Sequence, residues 1–407
     1  MIKQQFEIPV GYKKWTYGLL AVGIAAFIAG LIFLGFSSDE HARTRFWAVL
    51  LQNSVFFLLI CNACMFFICA NTLGHSAWQT AFRRIPEAIS TLVPVFSVIT
   101  LLVFIGIIMG GQTHVYHWID KNAVAGDKIL TWKSGFLNPT FFFVWTIITL
   151  FVWSYTGAKM RKLSREADDQ PMSGEQARKY IWINTIWAGL FIVFFALTVG
   201  STIPWFWLMS IDAHWYSTMY SWYTFGSTFV GGLALIALFI VFLKNHKYLE
   251  YTTAEHLQDV GKYIFAFSIF WTYLWFAQFM LIWYGNIPEE TIYFKVRLQG
   301  VYKPIFWINF CVNFIAPILI LMTRGSKRSY SIMTFMSVAL ILGHWLDFYQ
   351  MVMPGTLGEH YSIGWFEWGT LALFVGITMF FTGKALSRSP MVPKYHPYLK
   401  ESVMHHT

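Results

Sequence analysis

Residues 46–71 read FWAVLLQNSVFFLLICNACMFFICAN, a run of more than twenty positions without a charged side chain. As a helix rising 1.5 Å per residue, about 20 such residues cross the ~30 Å hydrocarbon layer of a bilayer. The run is apolar all round, so it has no face suited to water. Working outward, nine further stretches have the same character: 15–36, 88–110, 137–157, 180–204, 219–243, 260–284, 305–323, 330–350 and 364–384. The sequence therefore predicts an all-α integral membrane protein with about ten transmembrane helices.

Composition agrees. The 407 residues are 57% hydrophobic and only 12% charged, and mean hydropathy is +0.52. A soluble domain carries about 25% charged residues, so this chain cannot cover itself with polar groups in water. Aromatics make up 20%, with 20 Trp and 40 Phe. Trp and Tyr favour the two membrane interfaces. The polar N-terminus, followed by an apolar run from Trp15 long enough to span, reads as an anchored first helix rather than a cleavable signal.

The net charge of +9 need not signal nucleic acid, because the cations are distributed by side. Of the 29 Lys and Arg, 21 fall in the termini and even-numbered connections and 8 in the odd-numbered ones. Positive residues mark the cytoplasmic side, so both termini are expected in the cytoplasm. Clusters such as Lys159, Arg161, Lys162 and Arg165 would face the anionic leaflet there. Cys61, Cys64, Cys69 and Cys311 all lie in apolar runs, which makes them poor candidates for a disulfide framework, and their spacing matches no haem or iron–sulfur motif. Cys61-Asn62-Ala63-Cys64 has a redox-like spacing, but small and polar residues in mid-bilayer serve helix packing. Asn309, Asn313, Thr323 and the Ser/Thr-rich start of the sixth span read the same way.

The fourth span begins after Gly135-Phe136-Leu137-Asn138-Pro139-Thr140-Phe141 and the eighth after Gly300-Val301-Tyr302-Lys303-Pro304-Ile305-Phe306. Both hold Gly-x-x-x-Pro-x-Phe, with Pro where a helix start tolerates it. Spans four apart run in the same direction. The expected organisation is two parallel-repeat four-helix bundles with two peripheral helices: 1–45 (first peripheral helix), 46–204 (bundle 1), 205–350 (bundle 2) and 351–407 (last helix and tail).

Ionisable groups in a bilayer are expensive and are functional candidates by default. The candidates are His344 and Asp347, three apart on one helix face, and Glu367 at the start of the tenth span. Asp212 and His214 lie in the connection before the sixth span, so all five are expected near the outer face. As a set they are candidate proton-relay groups. The alternative is that they are solvated or lock loops. Glu87, at the start of the third span, suits a helix N-terminus; the alternative is a point of proton entry. The loop His114-Val115-Tyr116-His117-Trp118-Ile119-Asp120 shows no further ligand for a metal and reads as partner-facing.

The segment Trp207-Leu208-Met209-Ser210-Ile211-Asp212-Ala213-His214-Trp215-Tyr216-Ser217-Thr218-Met219-Tyr220 resembles the outer loop of the smaller quinone-type membrane subunit of bacterial alternative complex III. Gly343-His344-Trp345-Leu346-Asp347, followed by Met353-Pro354, is similar to that family's ninth helix, and length and span number extend the likeness over nearly the whole chain. The wider group is the NrfD or polysulfide-reductase type of membrane subunit; Asp212 stands where a Glu is common in it. The resemblance implies one subunit of a respiratory quinol:electron-acceptor (cytochrome c) oxidoreductase in a bacterial cytoplasmic membrane. It also implies partners: a multihaem cytochrome, an iron–sulfur protein, a larger NrfD-like subunit and a terminal oxidase, with lipids around them. Haem, iron–sulfur clusters and the quinol site would belong to those partners. This chain would carry no redox cofactor, metal or catalytic residue, and would support quinol chemistry or proton translocation. Two alternatives stand beside it: an anchor or quinone-site subunit of another NrfD-type reductase, and a secondary transporter. Transporters break helices at corresponding midplane positions, whereas Pro94 and Pro317 lie in spans that do not correspond.

Overall fold

A computed structural model describes residues 5–360 and 363–406. Among these residues there is no β-strand, and ten helices are long and apolar enough to span a membrane. They are α1 (Val10–Gly35), α2 (Glu40–Leu73), α3 (Arg84–Met109), α4 (Pro139–Glu166), α5 (Gly174–Trp207), α6 (Tyr220–Asn245), α7 (Ala254–Gly285), α8 (Tyr302–Leu321), α9 (Tyr330–Leu357) and α10 (Trp365–Leu386). The fold class read from the sequence stands. Most of the helices run past the apolar stretches at one end or the other, and side-chain caps hold the starts of α2, α4 and α5. The side chain of Asp39 accepts from His41 N at the start of α2, and Asn138 does so from Phe141 N at the start of α4. Ser173 and Gln176 form a reciprocal capping box on α5.

The helices close into two rings. In one, α2 packs on α3 and α5, α3 on α4, and α4 on α5. In the other, α6 packs on α7 and α9, α7 on α8, and α8 on α9. Both rings are four-helix bundles. They meet where α2 lies against both α6 and α9. The apolar stretches of α2 and α6 are 83% and 89% buried, against 11% for α1, so α2 and α6 form the axis of the molecule and α1 faces lipid. Cys64 Sγ lies 3.7 Å from Gly232 O across the α2–α6 contact, and Cys61, Cys64 and Cys69 are buried free thiols. The Cys61-x-x-Cys64 string is thus a packing seam.

The peripheral helices α1 and α10 pair with one another, and α10 also leans on α2 and α3. Their contact relies on small residues, as expected where no hydrophobic force drives helices together in lipid. A Cβ on Gly23 would fall on the backbone of Leu373. Gly23→Leu is expected to pry α1 from α10 and lower stability by about 1–3 kcal/mol. Thermal unfolding of the purified chain reads this, and an unchanged midpoint would show that the close approach carries no stability.

With an even number of spans the two ends of the chain share a side, called the terminus face below. Gln5 pairs with Pro390 there, and Tyr395 N donates to Ala167 O in the α4–α5 connection. The opposite, far face holds the short helix Pro288–Arg297.

Candidate functional site: a carboxylate enclosed by four helices

Asp347 and His344 are fully buried and project into bundle 2, where all four helices supply partners. Tyr223 of α6 donates its hydroxyl to Asp347 Oδ1. Asn309 of α8 donates to the same oxygen at 2.9 Å, and Trp271 Nε1 of α7 donates to Oδ2 at 3.0 Å. Asn313 Nδ2, one turn along α8, donates to Asn309 Oδ1 at 2.6 Å. One turn deeper on α9, His344 Nδ1 lies 3.0 Å from Ser227 Oγ, and its ring meets Trp271 edge-on at 5.5 Å. Among the described residues no Lys or Arg pairs with Asp347. When ionised, it is met by aligned dipoles alone, and each such bond is stronger in a dry bundle than in water.

The Gly343-His344-Trp345-Leu346-Asp347 motif faces two ways. His344 and Asp347 serve bundle 2. Trp345, between them in sequence, points to α2, where its Nε1 donates to Asn53 Oδ1 at 2.9 Å and its carbonyl accepts from Gln52 at 3.1 Å. Gly343 allows α8 to close in, since any Cβ there would collide with the Asn313 carboxamide.

Toward the far face, Tyr223 and Asn309 also line a cavity of about 20 Å3, enough for about one water. Tyr220, Tyr293, Gln278, Gln350 and Arg297 complete its polar lining. Arg297, at the end of the short helix, is fixed by Gln350 O at 2.9 Å and Tyr293 O at 2.7 Å, and reaches Asp212 Oδ2 at 3.2 Å. Its guanidinium also lies 3.3 Å over the Tyr293 ring. Burial pushes the Tyr293 phenol up to about 12, against the lowering effect of Arg297, so Tyr293 stays a neutral hydroxyl at physiological pH. A line of polar groups therefore runs from Asp347 through Tyr223 and the cavity to Arg297 and Asp212 at the far face. Toward the terminus face, His344 Nε2, Asn313 Oδ1, Ser268 Oγ and Ser337 Oγ are buried in bundle 2 without a protein partner.

The five residues expected together at the outer face are not one cluster. Asp347 and His344 form the core, and Asp212 is at the rim of the same polar line. His214 is exposed and pairs with Asp127 at 2.5 Å, because the loop before α6 folds it onto the α3–α4 connection. Glu367 is 1% exposed and forms a two-pronged pair with Arg45 of α2 at 2.8 and 2.7 Å, while also capping Gly364 N. It fastens α10 to α2. Asn309 and Asn313, expected as packing residues, are instead the α8 side of the carboxylate site. Sequence alone does not single out Tyr223, Trp271 or Arg297: Tyr223 is near a helix start, where it reads as an interface anchor, Trp271 is mid-way along α7 in a span rich in aromatic rings, and Arg297 falls in a connection. Glu87, on the terminus face, pairs with Arg83 and Arg84 at 2.9 and 2.8 Å, and Arg84 continues to Asp168 at 2.5 Å. Burial raises Asp168 and Arg84 opposes it.

Among the described residues no group of three or more His, Cys, Asp or Glu side chains has a metal-binding arrangement. No family model matches the chain, and no curated protein is significantly similar to it.

Proposed function

We propose that this chain is a membrane subunit of a respiratory quinol oxidoreductase of the alternative complex III type, and that bundle 2 handles protons in it. One observation carries the reading. A carboxylate and an imidazole sit side by side in the core of a four-helix bundle, with a polar line to the far face and unpartnered polar atoms on the other side. A carboxylate held by neutral donors alone is a poor structural choice for a membrane core, where ionisable groups are costly. A carboxyl group and an imidazole can each bind a proton and pass it on. The resemblance of the Trp207–Tyr220 segment and of the α9 motif to the smaller membrane subunit of that complex supports the same reading. Redox groups and the quinol site would lie in the partners: a multihaem cytochrome, an iron–sulfur protein and a larger subunit of the NrfD type.

Purifying the complex through a tag on this chain is the direct test. Haem and iron–sulfur proteins should co-purify, and the chain separated from them should show no stoichiometric haem band. Isolation as a lone protein that catalyses solute uptake in liposomes would overturn the proposal in favour of a transporter.

The orientation belongs to the same proposal. With 21 of the 29 cations on the terminus face, that face is cytoplasmic, and Asp212 opens to the other side of a bacterial inner membrane. A periplasm-active reporter should be silent after Thr407 and active when inserted at Gly126. The reverse pattern would invert the topology.

A further inference from the structure

A second cavity lies outside the proton-handling bundle core. It is an apolar cleft of about 650 Å3, bounded by α1, α2, α6, α9 and α10, within the size range of small-molecule sites. Along α6 its lining runs from Leu235 to His246, about 16 Å at 1.5 Å per residue. That is close to half of the ~30 Å hydrocarbon thickness. On α1 it involves only the first turns, at Tyr12 and Trp15. The cleft thus opens at the terminus face and ends near mid-membrane. It is one leaflet deep, too short to seat a spanning helix of a partner. Of its polar side chains, Tyr12 donates its hydroxyl to Met379 O at 2.6 Å and Thr378 donates to Phe374 O at 2.8 Å, while Trp15 and His246 are exposed toward the mouth. The interior therefore offers nothing to a quinone ring or another polar head.

The mouth is different. His246 and Lys247 are exposed at the end of α6, and Lys13 and Lys14 are exposed in the first turns of α1. Lys14 follows Gly11, which lines the cleft, by three residues and shares its helix face. Two acidic residues are near: Glu7, whose backbone N–H bonds the Tyr248 hydroxyl at 3.1 Å, and Glu250, whose carbonyl accepts from Lys244. The cations outnumber them.

We propose that the cleft binds an anionic phospholipid of the leaflet at the terminus face, acyl chains inside and phosphate held at the mouth by Lys14 and Lys247. An apolar slot one leaflet deep beneath a basic rim matches the shape and charge of such a lipid, and each Lys near an anionic surface favours binding by roughly fivefold.

The test is native mass spectrometry of the delipidated full-length chain, titrated with phosphatidylglycerol or phosphatidylcholine of identical acyl chains. One phosphatidylglycerol should bind, about tenfold or more tighter than phosphatidylcholine. The surface double variant Lys14→Gln, Lys247→Gln should bring the two lipids to within about twofold. Leu238→Trp should abolish binding of both, with the delipidated variant unfolding at the wild-type temperature. Equal affinity of the two lipids for the wild-type chain would overturn the proposal. So would a preference unaffected by the double variant, or recovery of an isoprenoid quinone or a partner segment crosslinked at Leu238 in the assembled complex.

Discussion

On the proposed function, Asp347→Asn leaves the complex assembled and lowers proton-coupled turnover on the order of 100-fold, the lower end of what loss of a positioned acid–base group removes. The side chains are nearly the same size, so packing survives. The hydrogen bonds survive only in part. Tyr223 and Asn309 both donate to Oδ1 and Trp271 donates to Oδ2. An amide can keep its carbonyl toward the first two, but its NH2 then faces the indole N–H. One bond is lost, a cost of about 1–3 kcal/mol for a buried donor left unmatched. The amide cannot take up or release a proton at any working pH. Turnover per assembled complex therefore separates the roles: a structural Asp347 predicts reduced assembly with unchanged turnover, a proton-handling one the opposite. Asp347→Leu, which strips all three donors of their acceptor, should fail to assemble in either case and so sets the scale. Wild-type turnover and proton stoichiometry in a fully assembled Asp347→Asn complex would end the relay reading.

The second large effect is structural. Glu367→Gln is expected to destabilise the chain by about 3–5 kcal/mol, because it removes the carboxylate charge from a buried, two-pronged ion pair with Arg45. The replacement of both, Arg45→Met with Glu367→Leu, should recover most of that loss, since well-packed apolar residues often match a buried pair. Heat inactivation at fixed temperature in one detergent compares the three proteins. An additive double variant would show that the two side chains do not act as a pair. Turnover per assembled complex should be unaffected by Glu367→Gln, which distinguishes it from Asp347→Asn.

These two carboxylates show what the sequence can and cannot tell. The ten spans were legible because a bilayer demands long uncharged runs, and little else produces them. His344 and Asp347 were legible as candidates because they interrupt such a run. Glu367 interrupts one equally, yet its counter-ion lies 322 residues earlier, and nothing local distinguishes a paired carboxylate from an unpaired one. The partners of Asp347 were hidden for a different reason. Tyr223, Trp271 and Asn309 are residue types that serve the interface or helix packing in most membrane helices, and only the closure of α6 to α9 gives them one target. His214 was misplaced with the group because loops are not fixed by periodicity, and this loop folds toward Asp127 instead.

The central position of α2 bears on how the protein is made. The helix enters the membrane second, but Gln52 and Asn53 find their partners on Trp345, nearly three hundred residues later. At a synthesis rate of about 5–20 residues per second, α2 waits on the order of 15–60 s with polar amides in an apolar setting. Nascent chains shorter than about 350 residues should therefore stay associated with the insertion machinery or a membrane chaperone and release only once α9 arrives. Maturation would then be gated by a late helix closing over an early one.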